Sequence, residues 1–142
     1  MSKQNFKSHA RYVPLWHFVT SFAILALLIG SIVNFVKSTE DNAYSASLLI
    51  LVSLILVSIF WYARRFALVA QDRAIRAEEN LRHYILTGKP LSRQLRTSQI
   101  IALRFAPDEE FVELAQRAVN EKMRSKAIKK AIKNWKADHH RA

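Results

Sequence analysis

The chain has 142 residues, 51% of them hydrophobic, with 22 Lys and Arg against 11 Asp and Glu for a net charge of +11. No cysteine is present, which excludes a disulfide framework, thiol catalysis and thiolate metal sites. Two glycines and three prolines leave almost no punctuation for strands and tight turns, and the apolar residues crowd into the first 63 positions ahead of a polar, basic remainder.

Residues 1–14 carry Lys3, Lys7 and Arg11 without an acid, and two charge-free apolar runs follow, Tyr12–Val36 and Asn42–Ala63. Each is longer than the ~20 residues a helix needs to cross a bilayer core. The first run is too long for the apolar region of a secretory signal and lacks a small-x-small cleavage site before Lys37, so a retained span is expected. The linker Lys37-Ser-Thr-Glu-Asp-Asn42 allows only an antiparallel turn. An all-α fold follows, because two β spans would leave open edges in lipid. The expected spans are about 13–36 and 43–63.

Charge orients this hairpin. The N-terminal stretch has a net charge of +3, the linker −1 and residues 64–142 +9, with Arg64-Arg65 abutting the second span. Positive residues stay cytoplasmic, so both termini are expected inside and the acidic turn outside. Aromatic belts, Tyr12, Trp16 and Phe18 at entry and Phe60, Trp61 and Tyr62 at exit, are expected at one membrane face. Polar residues within the spans are mild (His17, Thr20, Ser21, Ser31, Asn34, Ser53, Ser58), and no acid or base marks an ion path. Ala23, Ala26, Gly30 and Asn34 form a small-residue ridge. Its expected role is contact between the two hairpin helices, with a dimer seam as the alternative.

From Arg64 to Leu86 neither Gly nor Pro interrupts, so the second helix should continue as a stalk. Ala63, Ala67, Ala70, Ala74, Ala77, Leu81 and Tyr84 recur at spacings of four and three, a heptad seam flanked by the pairs Asp72/Arg76 and Glu78/Arg82. An alanine seam requires a close partner, either the chain's later helices or a second copy. Gly88 and Pro90 end the helix.

Three short helices are predicted beyond Pro90. The first is capped by Ser92 or Thr97 and runs to Phe105. The second starts at Pro107 with Asp108-Glu109-Glu110 in its first turn and carries the stripe Phe111, Leu114, Ala115, Ala118, Val119. Ser125 opens the third, with Ile128, Ala131, Ile132 and Trp135 on one face and Lys126, Lys129, Lys130, Lys133 and Lys136 on the others. The lysines admit three readings: a solvated face, contact with anionic inner-leaflet lipid, or phosphate contact with nucleic acid. Thr97–Asn120 faintly resembles a helix-turn-helix, which keeps a membrane-tethered regulator as an alternative. The acids at 108–110 and the missing turn glycine weigh against it.

No nucleophile elbow, phosphate loop or metalloprotease motif occurs. His139 and His140 are adjacent and point apart, and His9 and His83 have no ligand partner at useful spacing. No catalytic, cofactor-binding or metal-ligating residue is assigned, and a non-enzyme is expected.

Four stretches carry a family resemblance: residues 4–14 (QNFKSHARYVP) with His17, residues 71–79 (QDRAIRAEE), residues 102–106 (ALRFA) and residues 131–139 (AIKNWKADH). With them the chain resembles a domain-of-unknown-function family of small two-span bacterial inner-membrane proteins. The resemblance implies a bacterial cytoplasmic membrane location and a hairpin-plus-helices plan, and it supplies no activity. The expected organisation is therefore 1–63 for the N-terminal segment and hairpin, 64–86 for the stalk and 87–142 for a basic cytoplasmic helical domain. The expected role is a structural or accessory subunit of an inner-membrane assembly, binding a protein partner or itself. A transporter or channel subunit would require oligomerisation, since two spans enclose no pore.

Overall fold

The computed structural model describes residues 13–137. Five helices and no strand are present among them: α1 (Leu15–Val36), α2 (Glu40–Thr87), α3 (Thr97–Leu103), α4 (Asp108–Asn120) and α5 (Ser125–Ala131). The first six residues of α1, Leu15–Thr20, are wound as a π-helix. There the Thr20 and Ser21 hydroxyls donate to carbonyls five residues back, Leu15 O at 3.0 Å and Trp16 O at 3.4 Å. The chain divides into two compact units, residues 11–66 and the part from Ala67 onward, and α2 contributes to both.

In the first unit α1 and the start of α2 form the expected hairpin. Glu40 and Asp41 occupy the first turn of α2, where carboxylates are favoured by the helix dipole. The Ser38 hydroxyl donates to Phe35 O at 2.7 Å and secures the preceding turn. Ser21, Ile24, Leu28 and Ser31 of α1 are the less exposed row, as are Ala43, Ala46, Ile50, Ser53 and Phe60 of α2. At its centre Ser53 Oγ lies 3.3 Å from Ser31 Oγ and 2.7 Å from Leu49 O, while Ser31 donates to Leu28 O at 2.8 Å. Trp16 stacks on Phe60 with ring centroids 4.5 Å apart, which brings the entry and exit aromatics together as the sequence required. Tyr12, the outermost of them, lies outside the described residues.

The small-residue ridge does not form this contact. Ala23, Ala26, Gly30 and Asn34 are all exposed, and a Cβ added at Gly30 would meet nothing within 4 Å. The small residues at the helix crossing are Ser31 of α1 and Ala46 and Ser53 of α2. Ala46 and Ser53 are 2% and 0% exposed, and small side chains at such positions let helix backbones approach closely.

The second unit packs α3, α4 and α5 around Leu95, Ile100, Leu103, Phe105, Phe111, Leu114, Ala118 and Ile128. The stripe predicted for α4 supplies four of its buried residues, Phe111, Leu114, Ala115 and Ala118. Pro107 is the residue just before α4 rather than its first helical residue, and its carbonyl accepts from Glu110 N (3.1 Å) and Phe111 N (2.9 Å). Gly88 closes α2 as expected: at φ +70° it holds the left-handed conformation and donates to Tyr84 O at 2.8 Å. The following segment is fastened back to α2 by Leu91 N–H, which donates to Asn80 Oδ1 at 2.9 Å.

Candidate functional site: the basic surface of the C-terminal unit

The α2 residues buried in this unit are Ile75 and Glu79, with Arg82 and His83 partly buried beside them. The predicted alanine seam faces elsewhere: Ala70, Ala74 and Ala77 are exposed, and Leu81 is 59% exposed. Alanine offers little apolar area, whereas Ile75 and the long Arg82 side chain cover the core edge more fully. Arg82 lies over the Phe111 ring at 4.3 Å and donates to Ala106 O at 2.8 Å, Glu79 at 3.0 Å and Asp108 at 2.6 Å. Its partner is thus Glu79 rather than Glu78. Burial pushes the Glu79 carboxyl above its ordinary range, against the opposing pull of Arg82.

The predicted lysine helix is shorter than its periodicity implied. It stops at Ala131, and Ile132 is extended with ψ 121°. Glu110 of α4 takes the backbone donors that a longer helix would use internally, accepting from Lys133 N at 2.9 Å and Asn134 N at 3.0 Å. Slight burial acts to raise the Glu110 carboxyl, but the two amides and the Asn134 side chain outweigh it and hold the group below its ordinary range. Lys136 N then donates to Phe105 O at 2.8 Å. Only Lys126, Lys129 and Lys130 stand on α5, while Lys133 and Lys136 belong to the extended tail.

The apolar side of this segment is already occupied. Ile128 and Ile132 are 0% and 6% exposed. Trp135 packs on Phe105 at 4.9 Å, so it belongs to the core edge and not to the lysine face. Lys129 Nζ also sits 5.5 Å from the Phe105 ring centre. A surface built this way can meet lipid or protein through its charges, but it has no apolar face left to insert.

The helices α3 and α4 are the pair with helix-turn-helix resemblance. Two of the three acids opening α4 are engaged internally, Asp108 by Arg82 and Glu110 by the tail. His83 Nδ1 lies 2.7 Å from Lys89 O, so that nitrogen carries a proton, and the ring meets Phe111 edge-on at 6.0 Å. His9, His139 and His140 lie outside the described residues. Among the described residues no group of three or more potential metal ligands is assembled.

One basic feature went unnoticed in the sequence. Arg96 precedes α3 and Arg124 precedes α5 with nearly identical backbone angles, φ −73°, ψ 153° and φ −74°, ψ 153°. Both, with Lys122, line a concavity of about 890 Å³. Gln99 ties its two sides together: its Oε1 accepts from Arg96 N at 2.7 Å and its Nε2 donates to Met123 O at 2.7 Å. The available signal was a repeat, Arg-Thr-Ser-Gln-Ile at 96–100 and Arg-Ser-Lys-Ala-Ile at 124–128.

The fold thus defines an all-helical protein with two helices, Leu15–Val36 and Glu40–Thr87, long and apolar enough to cross a membrane. Over residues 1–142 the chain matches the Family of unknown function (DUF6526), and it belongs to that family. No curated protein and no solved structure matches it.

Proposed function

We propose that the chain is an integral protein of the bacterial inner membrane, with both termini cytoplasmic, serving as an accessory or interaction subunit without catalysis of its own. The observation behind this reading is the exposure of its most apolar helices. Only 6% of the apolar window in α1 and 11% of that in α2 is buried, whereas the central helix of a water-soluble domain would be mostly covered. Residues such as Leu25, Ile29, Leu51 and Ile59, each about half exposed, would face water at large cost or lipid at none. The +3, −1, +9 charge distribution supports the orientation.

Lysines 126, 129 and 130 and the exposed row Ala70, Ala74, Ala77 and Leu81 are the surfaces offered to lipid headgroups, a protein partner or a second copy. Cysteines placed singly at Thr39 and Ser92 test the anchoring. In intact cells an impermeant thiol reagent should label the first and spare the second, and labelling at Ser92 would overturn the orientation. Purification in mild detergent with mass spectrometry tests the role. A stoichiometric complex is expected, and a lone monomer would remove the accessory reading.

A further inference from the structure

Three residues in the C-terminal unit stand where local stability argues against them: a cation at Arg96 and Arg124, and a side chain at the left-handed position of Lys122. Arg96 and Arg124 occupy the position before a helix, where Ser, Thr, Asp and Asn are preferred because their side-chain oxygens accept the first amide protons. An arginine has no acceptor to give, and its charge sits at the positive end of the helix. Lys122 holds the left-handed conformation at φ 49°, which favours glycine. All three line the same concavity, together with Ser98 and Ser125, and among the described residues no acid lines it. The acid next to Lys122 in sequence, Glu121, is held by Arg117 at 3.1 Å.

Side chains that break a local rule in concert are expected where a ligand supplies the missing stabilisation. We infer that this concavity binds a phosphate-bearing group carrying at least two negative charges, through the guanidinium groups of Arg96 and Arg124 and the ammonium group of Lys122. Guanidinium forks match phosphate oxygens in pairs, and a lysine adds a point charge. The Ser98 and Ser125 hydroxyls are available as further donors. The site consists of side-chain cations and does not depend on the amides of the short helices α3 and α5. Gln99 acts as a positioning residue, since it fixes the Arg96 side of the concavity to the Met123 side. The group could belong to a soluble phosphorylated compound or to a lipid headgroup, which share this chemistry.

The full chain in phosphatidylcholine nanodiscs, with radiolabelled pyrophosphate as probe in equilibrium dialysis, tests the site. A single saturable site is expected, weakening as salt is raised. Affinity should fall roughly tenfold per arginine in Arg96→Gln and Arg124→Gln. The variant Arg73→Gln/Arg76→Gln/Arg93→Gln, which removes three charges from another part of the same unit, should bind as the parent does. Lys122→Gly should lose affinity while the fold becomes more stable, an outcome that misfolding cannot produce. Repeating the parent measurement in nanodiscs containing cardiolipin, whose headgroup carries two phosphates, separates the sources. Retained pyrophosphate binding identifies a soluble ligand, and loss there alone identifies the headgroup. Absence of binding in phosphatidylcholine discs, or equal binding by the pocket and control variants, would overturn the site.

Discussion

Arg82, near the end of α2, donates through Nε to Asp108, the first residue of α4, at 2.6 Å across 26 positions of sequence. The same guanidinium reaches Glu79 and Ala106 O, so three groups from two elements and the segment between them converge on one side chain. Removing it should be costly. Arg82→Met leaves the mostly buried Glu79 carboxylate without its partner and is expected to destabilise the C-terminal unit by about 3 kcal/mol. Most of that arises at Glu79, because the Asp108 side chain is 58% exposed and its pairing is screened by solvent. Adding Glu79→Gln to Arg82→Met should recover part of the loss in denaturant unfolding. Equal instability of the single and double variants would mean that packing over Phe111, not charge, sets the cost.

Two carboxylates should respond to acid in opposite directions. The folded-state pKa of Glu79 is raised, so the folded state binds its proton more tightly than the unfolded state does. As pH falls through that raised value toward the ordinary carboxylate range, Glu79 makes a growing contribution to stability. Glu110 is lowered, so its contribution is full above the ordinary range and is lost as pH falls through the depressed value. Hydrogen-exchange protection of the Lys133 and Asn134 amides, relative to the intrinsic rate at each pH, should therefore be high at neutral pH and fall under acid. In Glu110→Gln that acid step should vanish and protection at both amides should be low throughout. A Glu79→Gln variant should leave the tail protected and abolish the stabilisation that Glu79 contributes as pH falls through its raised value.

Lys122 closes α4 in a two-bond cap: Met123 N donates to Ala118 O at 3.1 Å and Lys122 N to Val119 O at 3.2 Å. The geometry is that of a glycine cap with a side chain at its left-handed position. Lys122→Gly is expected to raise stability by about 0.5–1 kcal/mol. A thermal or denaturant midpoint that falls would show that the lysine makes compensating contacts in the folded protein.

The alanine row of α2 provides a cleaner test of self-association than a buried seam would. Ala74 and Ala77 are exposed, so Ala74→Glu and Ala77→Glu should leave limited proteolysis of the C-terminal unit unchanged. Crosslinking between copies should drop in both variants if this row joins two chains, since a glutamate both overfills and charges a close contact. Unchanged crosslinking would remove this face from the proposed partner surfaces.

The hairpin, the unbroken α2 and its Gly88 stop were legible because each rests on a local rule: run length, absence of breakers, and a left-handed cap. The start of α4 was legible to within one residue, the helix opening at Asp108 with Pro107 as its cap rather than at Pro107. What periodicity did not decide was which face of α2 packs on the chain's own later helices. Ala70, Ala74 and Ala77 satisfy a heptad, yet the buried α2 residues are Ile75 and Glu79, and the partners of Arg82 beside them, Ala106, Asp108 and Phe111, lie more than twenty residues away. Periodicity alone carries no information about those partners. Helical spacing likewise extended α5 to Trp135, because nothing local reveals that Glu110 takes the amides of Lys133 and Asn134. The Arg96 and Arg124 repeat was visible but had no meaning until the fold brought both arginines to one hollow.

The Ser31–Ser53 contact bears on how the hairpin finds its alignment. Two helices meeting only through Ile, Leu and Val could slide by a turn and exchange one greasy contact for another at little cost. A hydroxyl pair is not interchangeable in that way: displaced by one turn, Ser53 would face an aliphatic neighbour and Ser31 would lose its counterpart. Each hydroxyl can still reach a carbonyl of its own helix, so the penalty for a wrong alignment is modest rather than prohibitive. The contact works as a vernier mark, selecting one setting among several close in energy while letting the helices shift as they search for it.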